Sequence, residues 1–210
     1  MLATRNGNYA AACAFDFKRP PHFYDTFATR DAEGYPPLMD RWPYFQSGLS
    51  RQAVLHGRPV PVASCWNGML VFDAAAFYDT LSSLQFRGID DSLAVEHLEG
   101  SESCLIHADN TLSRSKGVWI NPDVRVAYNT TPYDVMSATD GVAWPSSVEV
   151  ATGVWLNRLK RWSRAFFLVD HGVENKIAAW RQQDTGHREP GNYCIIDEMQ
   201  IVLWNGWGHA

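Results

Sequence analysis

Seven consecutive apolar residues, 9–15 (YAAACAF), follow the turn-forming triplet Asn6-Gly7-Asn8. A short apolar run bounded by turn residues is an internal strand, not a fraying terminus. It places a sheet element almost at the start of the chain and sets the expectation that further protein precedes Met1.

Strands and helices alternate from there on. Residues 59–73 (PVPVASCWNGMLVFD) predict a strand, a turn at Asn67-Gly68 and a second strand over 69–72. As a bare pattern this is a hairpin, with Asn-Gly supplying the positive φ angles. The other reading is a backbone that lets a ligand approach Gly68, with Trp66 as an apolar platform. Short helices are predicted over 50–56, with Ser50 as N-cap and Gly57 as stop, over 74–83 from Asp73, and over 94–98 after Asp90 and Asp91. Residues 101–109 (SESCLIHAD) predict a helix capped by Ser101, with Glu102 in the first turn where a carboxylate suits the positive helix end. A strand over 104–107 is the alternative. Residues 118–128 end as an alternating strand with Val124, Val126 and Tyr128 on one face. Residues 148–168 form a helix with Trp155, Leu159, Trp162 and Phe166 on one stripe, expected to pack on the core, and Arg158, Lys160, Arg161 and Arg164 on the other faces. A membrane-surface helix is the weaker alternative. Residues 173–183 continue as a helix, and 191–207 hold a mostly apolar run broken at Asp197-Glu198. The alternation makes an α/β chain, with no internal repeat and no linker that divides it.

Composition narrows the function classes. Lys and Arg number 8 against 12 Asp and Glu in residues 1–105 and 10 against 11 in 106–210, for a net charge of −5. Neither half is basic, which argues against nucleic-acid binding. No apolar run reaches the roughly 18–20 residues of a membrane span, and no secretory leader opens the chain. Nine Trp, eight Tyr and ten Phe are the outlier. Many lie in the proline-rich stretch 18–47, where they must bury against something or wait for a ligand. Cys13, Cys65 and Cys194 stand in apolar runs, where a buried free thiol is the default, and no cysteine spacing fits zinc. Asn129-Thr130-Thr131 permits glycosylation of a luminal chain.

No Asp-x-Asp occurs, and the nearest approach is Asp31-Ala32-Glu33. Glu96, Glu99 and Glu102 follow at intervals of three, most of them suited to a solvated face. Glu102, at the edge of an apolar element, can act as a base, bind a sugar hydroxyl or cap its helix. His107 reads as a satisfied core or edge histidine before it reads as a metal ligand, and Asp109 as a turn or cap beside Asn110. Nucleophile-elbow, phosphate-loop and dinucleotide signatures are absent.

Several stretches together resemble one family. They are Tyr24-Asp25-Thr26-Phe27 with Arg30-Asp31 and Gly34; Pro59-Val60-Pro61-Val62 with Cys65-Trp66-Asn67-Gly68-Met69; Phe86-Arg87-Gly88; Ser101-Glu102 with Cys104-Leu105-Ile106-His107-Ala108-Asp109; Asn121-Pro122 with Val124-Arg125-Val126-Ala127-Tyr128; and Ile196-Asp197-Glu198-Met199-Gln200 with Asn205-Gly206-Trp207. In order and spacing they resemble the fungal capsule-associated α-1,3-mannosyltransferases, glycosyltransferase family 69. The resemblance implies a GT-A-like mixed sheet flanked by helices. It implies transfer of mannose from GDP-mannose to a glycan acceptor with retention, aided by Mn²⁺ or Mg²⁺. It also implies a Golgi type II membrane protein, whose N-terminal anchor, first part of the nucleotide-binding half and acidic metal motif would lie upstream of Met1. Residues 1–210 are then the C-terminal portion of that domain. By the same resemblance Trp66-Asn67-Gly68 is the loop beneath the donor sugar, and Glu102 the acidic residue facing the acceptor. Asp25, Arg30 and Asp31 lie on the acceptor-side loop, Arg87 and Asp109 bind substrate, and His107 joins Glu102 as a catalytic candidate. The sequence departs from the family at Glu102-Ser103-Cys104, where Glu-Cys-Cys is more usual. A non-catalytic carbohydrate-binding or partner-binding module, suggested by the aromatic stretch 18–47, is the alternative function.

Overall fold

The computed structural model describes residues 1–19, 22–78, 83–128, 130, 145–166, 172–197, 200–203 and 206–209. The apolar run at the start becomes β1 (Ala11–Arg19) at the heart of a mixed sheet. Its neighbours are β2 (His22–Phe23), β3 (Arg30–Asp31), β4 (Val60–Ser64), β5 (Leu70–Phe72) and β7 (Val118–Ala127). The order is β2-β1-β7-β4-β3, with β5 also paired to β1. β1 and β7 run parallel and the other pairs antiparallel.

Helices connect and cover these strands: α1 (Gly48–Leu55), α2 (Ala75–Tyr78), α3 (Asp91–Ala94), α4 (Glu102–Asp109), α5 (Ser113–Lys116), α6 (Ser147–Phe166) and α7 (Gly172–Gln183). β6 (Glu99–Gly100) pairs with β8 (Ile195–Ile196), and β9 (Gln200–Leu203) with β10 (Gly206–His209). The architecture is α/β, as the alternation predicts. Among the described residues no helix is long and apolar enough to cross a membrane. The sequon at Asn129, residues 79–82 of the helix predicted over 74–83, and Glu198 lie outside the described residues.

Five expectations change. The helix predicted over 50–56 runs from Gly48 to Leu55, with Ser47 at the N-cap; Ser50 lies buried inside it and donates to the Pro61 carbonyl at 2.7 Å. The strands flanking Asn67-Gly68 do not form a hairpin: β4 pairs with β3 and β7, β5 with β1, so 65–69 carries the chain across two strands. The cysteines are not free: Cys13 bonds Cys65 and Cys104 bonds Cys194. An apolar run hides a disulfide as readily as a thiol, and spacing alone does not pair cysteines. The short helix expected over 94–98 begins earlier, at Asp91, because Asp90 caps it by accepting from the Ser92 N–H at 2.8 Å. Finally, the Trp155, Leu159 and Trp162 stripe faces outward. α6 packs through Val150 and Val154 on the main core, and buries Asn157.

The aromatics of 18–47 divide in two. Phe23, Trp42, Tyr44 and Phe45 join Phe15 and Phe17 in a core of edge-to-face and tilted rings on β1, with Val60, Val62, Val118 and Ile120. Each large side chain buried there contributes about 2 kcal/mol. Tyr24, Phe27 and Tyr35 remain on the surface.

Candidate functional site

The 65–68 crossover is tied down at every residue. Cys65 is bonded to Cys13 on β1, and its carbonyl accepts from Nε2–H of His107 on α4 at 2.8 Å. The Trp66 N–H is shared between Asp25 Oδ2 at 3.3 Å and Asn67 Oδ1 at 3.1 Å. Asn67, fully buried, donates through Nδ2 to Asp16 Oδ1 at 3.2 Å. Gly68 has φ +52°, and a Cβ there would meet Val126 Cγ1 at 2.8 Å. Glycine is required because neighbouring protein crowds the backbone, not because a ligand approaches it. With its backbone held, the segment projects one large side chain outward: Trp66, 40% exposed.

Two carboxylates lie beside this segment. Asp16 points from β1 and is almost wholly buried. It accepts from Asn67, from the Tyr128 hydroxyl at 3.1 Å and from the Asp25 N–H at 3.3 Å. Burial, then the charge of Asp25, push the Asp16 carboxyl above its ordinary value. Partial burial and Asp16 push the Tyr128 hydroxyl up to about 12, so it remains a donor at neutral pH. Asp25 is less buried. It accepts from the Ala28 N–H at 2.9 Å and from the Thr29 hydroxyl, and the same hydroxyl is within reach of Asn67 Oδ1. Around the pair stand exposed aromatics: Tyr24 packs on Tyr128 with ring centroids 4.8 Å apart, and Trp66 meets Phe86 edge-on at 5.7 Å. Acceptor oxygens beside exposed ring faces suit a ligand with both hydroxyl and C–H surfaces.

The structure brings Asp25, Trp66, Asn67 and Gly68 together and places the remaining candidates elsewhere. Arg30 is buried and donates to the carbonyls of Phe27, Thr29 and Tyr193. Asp31 is buried and accepts the N–H groups of Glu33, Tyr35 and Ser47, closing the 31–35 turn onto α1. Arg87 forks onto Asp109 and Glu189, so these charges hold the 86–89 loop to α4 and to the chain before β8. Glu102 is exposed in the first turn of α4 and has no hydrogen-bond or ion-pair partner among the described residues. His107 is buried, stacks on Phe72 and is held by burial at about 4, hence neutral. Since a carbonyl only accepts, Nε2 carries its proton, and His107 acts on the site by positioning Cys65. Sequence reasoning missed Asp16, Thr29, Tyr24 and Tyr128. For Asp16 there was a signal: it is the lone charge in the apolar run 9–17.

The described residues do not furnish a site for Mn²⁺ or Mg²⁺. No three His, Cys, Asp or Glu side chains among them gather into a set that could hold a metal ion. The Asp16 and Asp25 oxygens already accept the hydrogen bonds given above.

A profile of the family described as cryptococcal mannosyltransferase 1 matches residues 1–109, which carry Asp16, Asp25, the 65–68 segment and all of α4. No curated protein and no solved structure matches the chain. With just over half its length matched, and with the carboxylates and tryptophan of the site inside that half, the chain belongs to the cryptococcal mannosyltransferase 1 family.

Proposed function

We propose that this protein is a glycosyltransferase region that transfers mannose from GDP-mannose to a glycan acceptor with retention, and that the Asp16, Asp25 and Trp66 cluster is its sugar-binding site. The observation that carries the reading is the 65–68 segment, held by the Cys13–Cys65 disulfide, the His107 bond to the Cys65 carbonyl and the Trp66 N–H, which presents Trp66 beside Asp25. A platform fixed before the ligand arrives loses little ordering entropy on binding. Trp66 offers a ring face to the C–H side of a hexose. Asp25, the more accessible carboxylate, accepts from a sugar hydroxyl. Tyr24 and Tyr128, packed on each other, offer further ring surface, and Asp16 holds Asn67 and Tyr128 in place. Glu102, exposed and without a hydrogen-bond or ion-pair partner among the described residues, is the proposed base or hydroxyl ligand for the acceptor, acting at the start of α4.

The proposal further takes the mixed sheet as GT-A-like and residues 1–210 as the C-terminal portion of that domain, working in the Golgi lumen. The divalent metal such donors use has no holder among the described residues, and no step above depends on one.

Release of GDP from GDP-mannose in the presence of mannosyl oligosaccharides, assayed with the full chain, tests the reading. Turnover that falls more than about tenfold in Asp25→Asn supports it. Glycan binding with no nucleotide binding and no turnover would establish the carbohydrate-binding module instead.

A further inference from the structure

A cavity of about 350 Å³ lies between the end of α4, α5, β4 and the start of β7, with Pro190 and Tyr193 also in its lining. It has room for a molecule the size of a monosaccharide. Two buried side chains of the lining, His107 and Asn110, are 1% and 2% exposed, and each has a polar atom without a partner among the described residues: Nδ1 of His107 and Nδ2 of Asn110. Their roles are fixed by their other ends. His107 donates from Nε2–H to the Cys65 carbonyl, so Nδ1 keeps its lone pair and accepts. Asn110 Oδ1 accepts the Leu112 N–H at 3.0 Å, so Nδ2 is the free donor. Buried polar atoms left unpaired are costly and uncommon, and two in one cavity lining point to a ligand that pairs both.

The rest of the lining sets the charge. Arg114 is exposed and has no hydrogen bond or ion pair among the described residues. The Arg5 guanidinium lies 4.6 Å over the ring of Trp119, another lining residue. No Asp or Glu stands among the described residues of the lining. Asp109, whose charge bears on Tyr193, is taken by Arg87 through both oxygens. Burial and that charge push the Tyr193 hydroxyl up to about 12, so it remains a donor at neutral pH. Pro61, Val62 and Val118 add apolar surface.

We propose that this cavity binds a monosaccharide-sized anion, its charged group on Arg114 and Asn110 Nδ2 and one of its hydroxyls donating to His107 Nδ1. None of Asp16, Asp25 and Trp66 lines the cavity, so it is a second site. A carboxylate and a phosphate each suit a guanidinium beside an amide donor. A neutral hexose leaves Arg114 unused.

Isothermal titration of the full chain with glucuronate and with glucose 6-phosphate tests this. At least one of the two is expected to bind, and glucose is expected not to displace it. Tighter glucuronate assigns the site to a carboxylate, and tighter glucose 6-phosphate to a phosphate. Arg114→Gln, which has no protein partner to lose, should weaken the better anion about tenfold with an unchanged thermal midpoint. Asn110→Asp keeps an acceptor for the Leu112 N–H and replaces the free donor with an acceptor, and should weaken it more than about tenfold. Asp25→Asn should bind the anion as the wild type does. Absence of binding by both anions, displacement by an equal concentration of glucose, wild-type affinity in Arg114→Gln or in a folded Asn110→Asp, or loss of binding in Asp25→Asn each overturns the proposal.

Discussion

His107 on α4 and Cys65 after β4 are joined by an Nε2–H to carbonyl hydrogen bond of 2.8 Å, and the other ring nitrogen, Nδ1, is buried with no partner among the described residues. Protonation at Nδ1 would leave a buried, unpaired charge, which is why burial holds the ring at about 4 against an ordinary 6.5. The unfolded chain therefore binds more protons between these values. Stability from this group is full above pH 6.5 and is lost as pH falls through 4, by roughly 3 kcal/mol. His107→Gln keeps a donor for Cys65 and removes the titration. Urea unfolding at pH 7 and pH 4.5 should show the wild type losing more stability than this variant; equal losses would remove His107 from the account.

Cys13–Cys65 and Cys104–Cys194 close loops of 52 and 90 residues. Loop-closure entropy assigns each about 4 kcal/mol. A thiol-reactive dye should find no free thiol in the denatured, unreduced protein. Cys13→Ala with Cys65→Ala should lower the thermal midpoint by more than about 8 °C and also weaken ligand binding, since Cys65 anchors the Trp66 platform. Free thiols in the native protein would refute the pairing.

Gly68→Ala strains the backbone at φ +52° and forces Cβ onto Val126. A loss of about 2 kcal/mol in chemical denaturation is expected. Adding Val126→Ala should recover the steric part and leave the backbone part, about 1 kcal/mol. Full recovery would show that the left-handed backbone conformation costs nothing here.

Arg87 fills its fork with Asp109 and with Glu189, which is nearly fully buried. Arg87→Lys keeps the charge but loses the two-sided geometry. Arg87 is itself a third exposed, so screening reduces the usual buried-pair penalty to about 2 kcal/mol. An unchanged unfolding free energy would make the cluster ornamental to stability and return Arg87 and Asp109 to the list of substrate ligands.

β1 and α4 were legible because local pattern and tertiary need agree there: residues 9–15 can only be interior, and α4 begins at Glu102 after Ser101, although the Ser101 hydroxyl, expected to cap it, makes no capping bond. The fate of Asn67-Gly68 was not legible. The dipeptide signals a hairpin through its φ preference, but Asn67 is used for long-range bonds to Asp16 and Thr29, and the chain crosses to another strand. For α6 the spacing located the stripe without its direction. Gly153 and Asn157 admit closer packing than two tryptophans, so the smaller face turned inward. Asp16, Tyr128 and Asp25 meet through the fold, from positions 16, 25 and 128, which no spacing rule connects.

The proposed transfer stands on sugar binding by Trp66 and Asp25. Saturation-transfer NMR with GDP-mannose and with a mannosyl oligosaccharide, on the full chain and on Trp66→Ala and Asp25→Asn, addresses it directly. Saturation is expected to reach the hexose ring protons in the wild type, and each variant is expected to lose about tenfold in affinity with folding intact. Hexose signals of equal strength in the wild type and both variants, or none in the wild type, would contradict it.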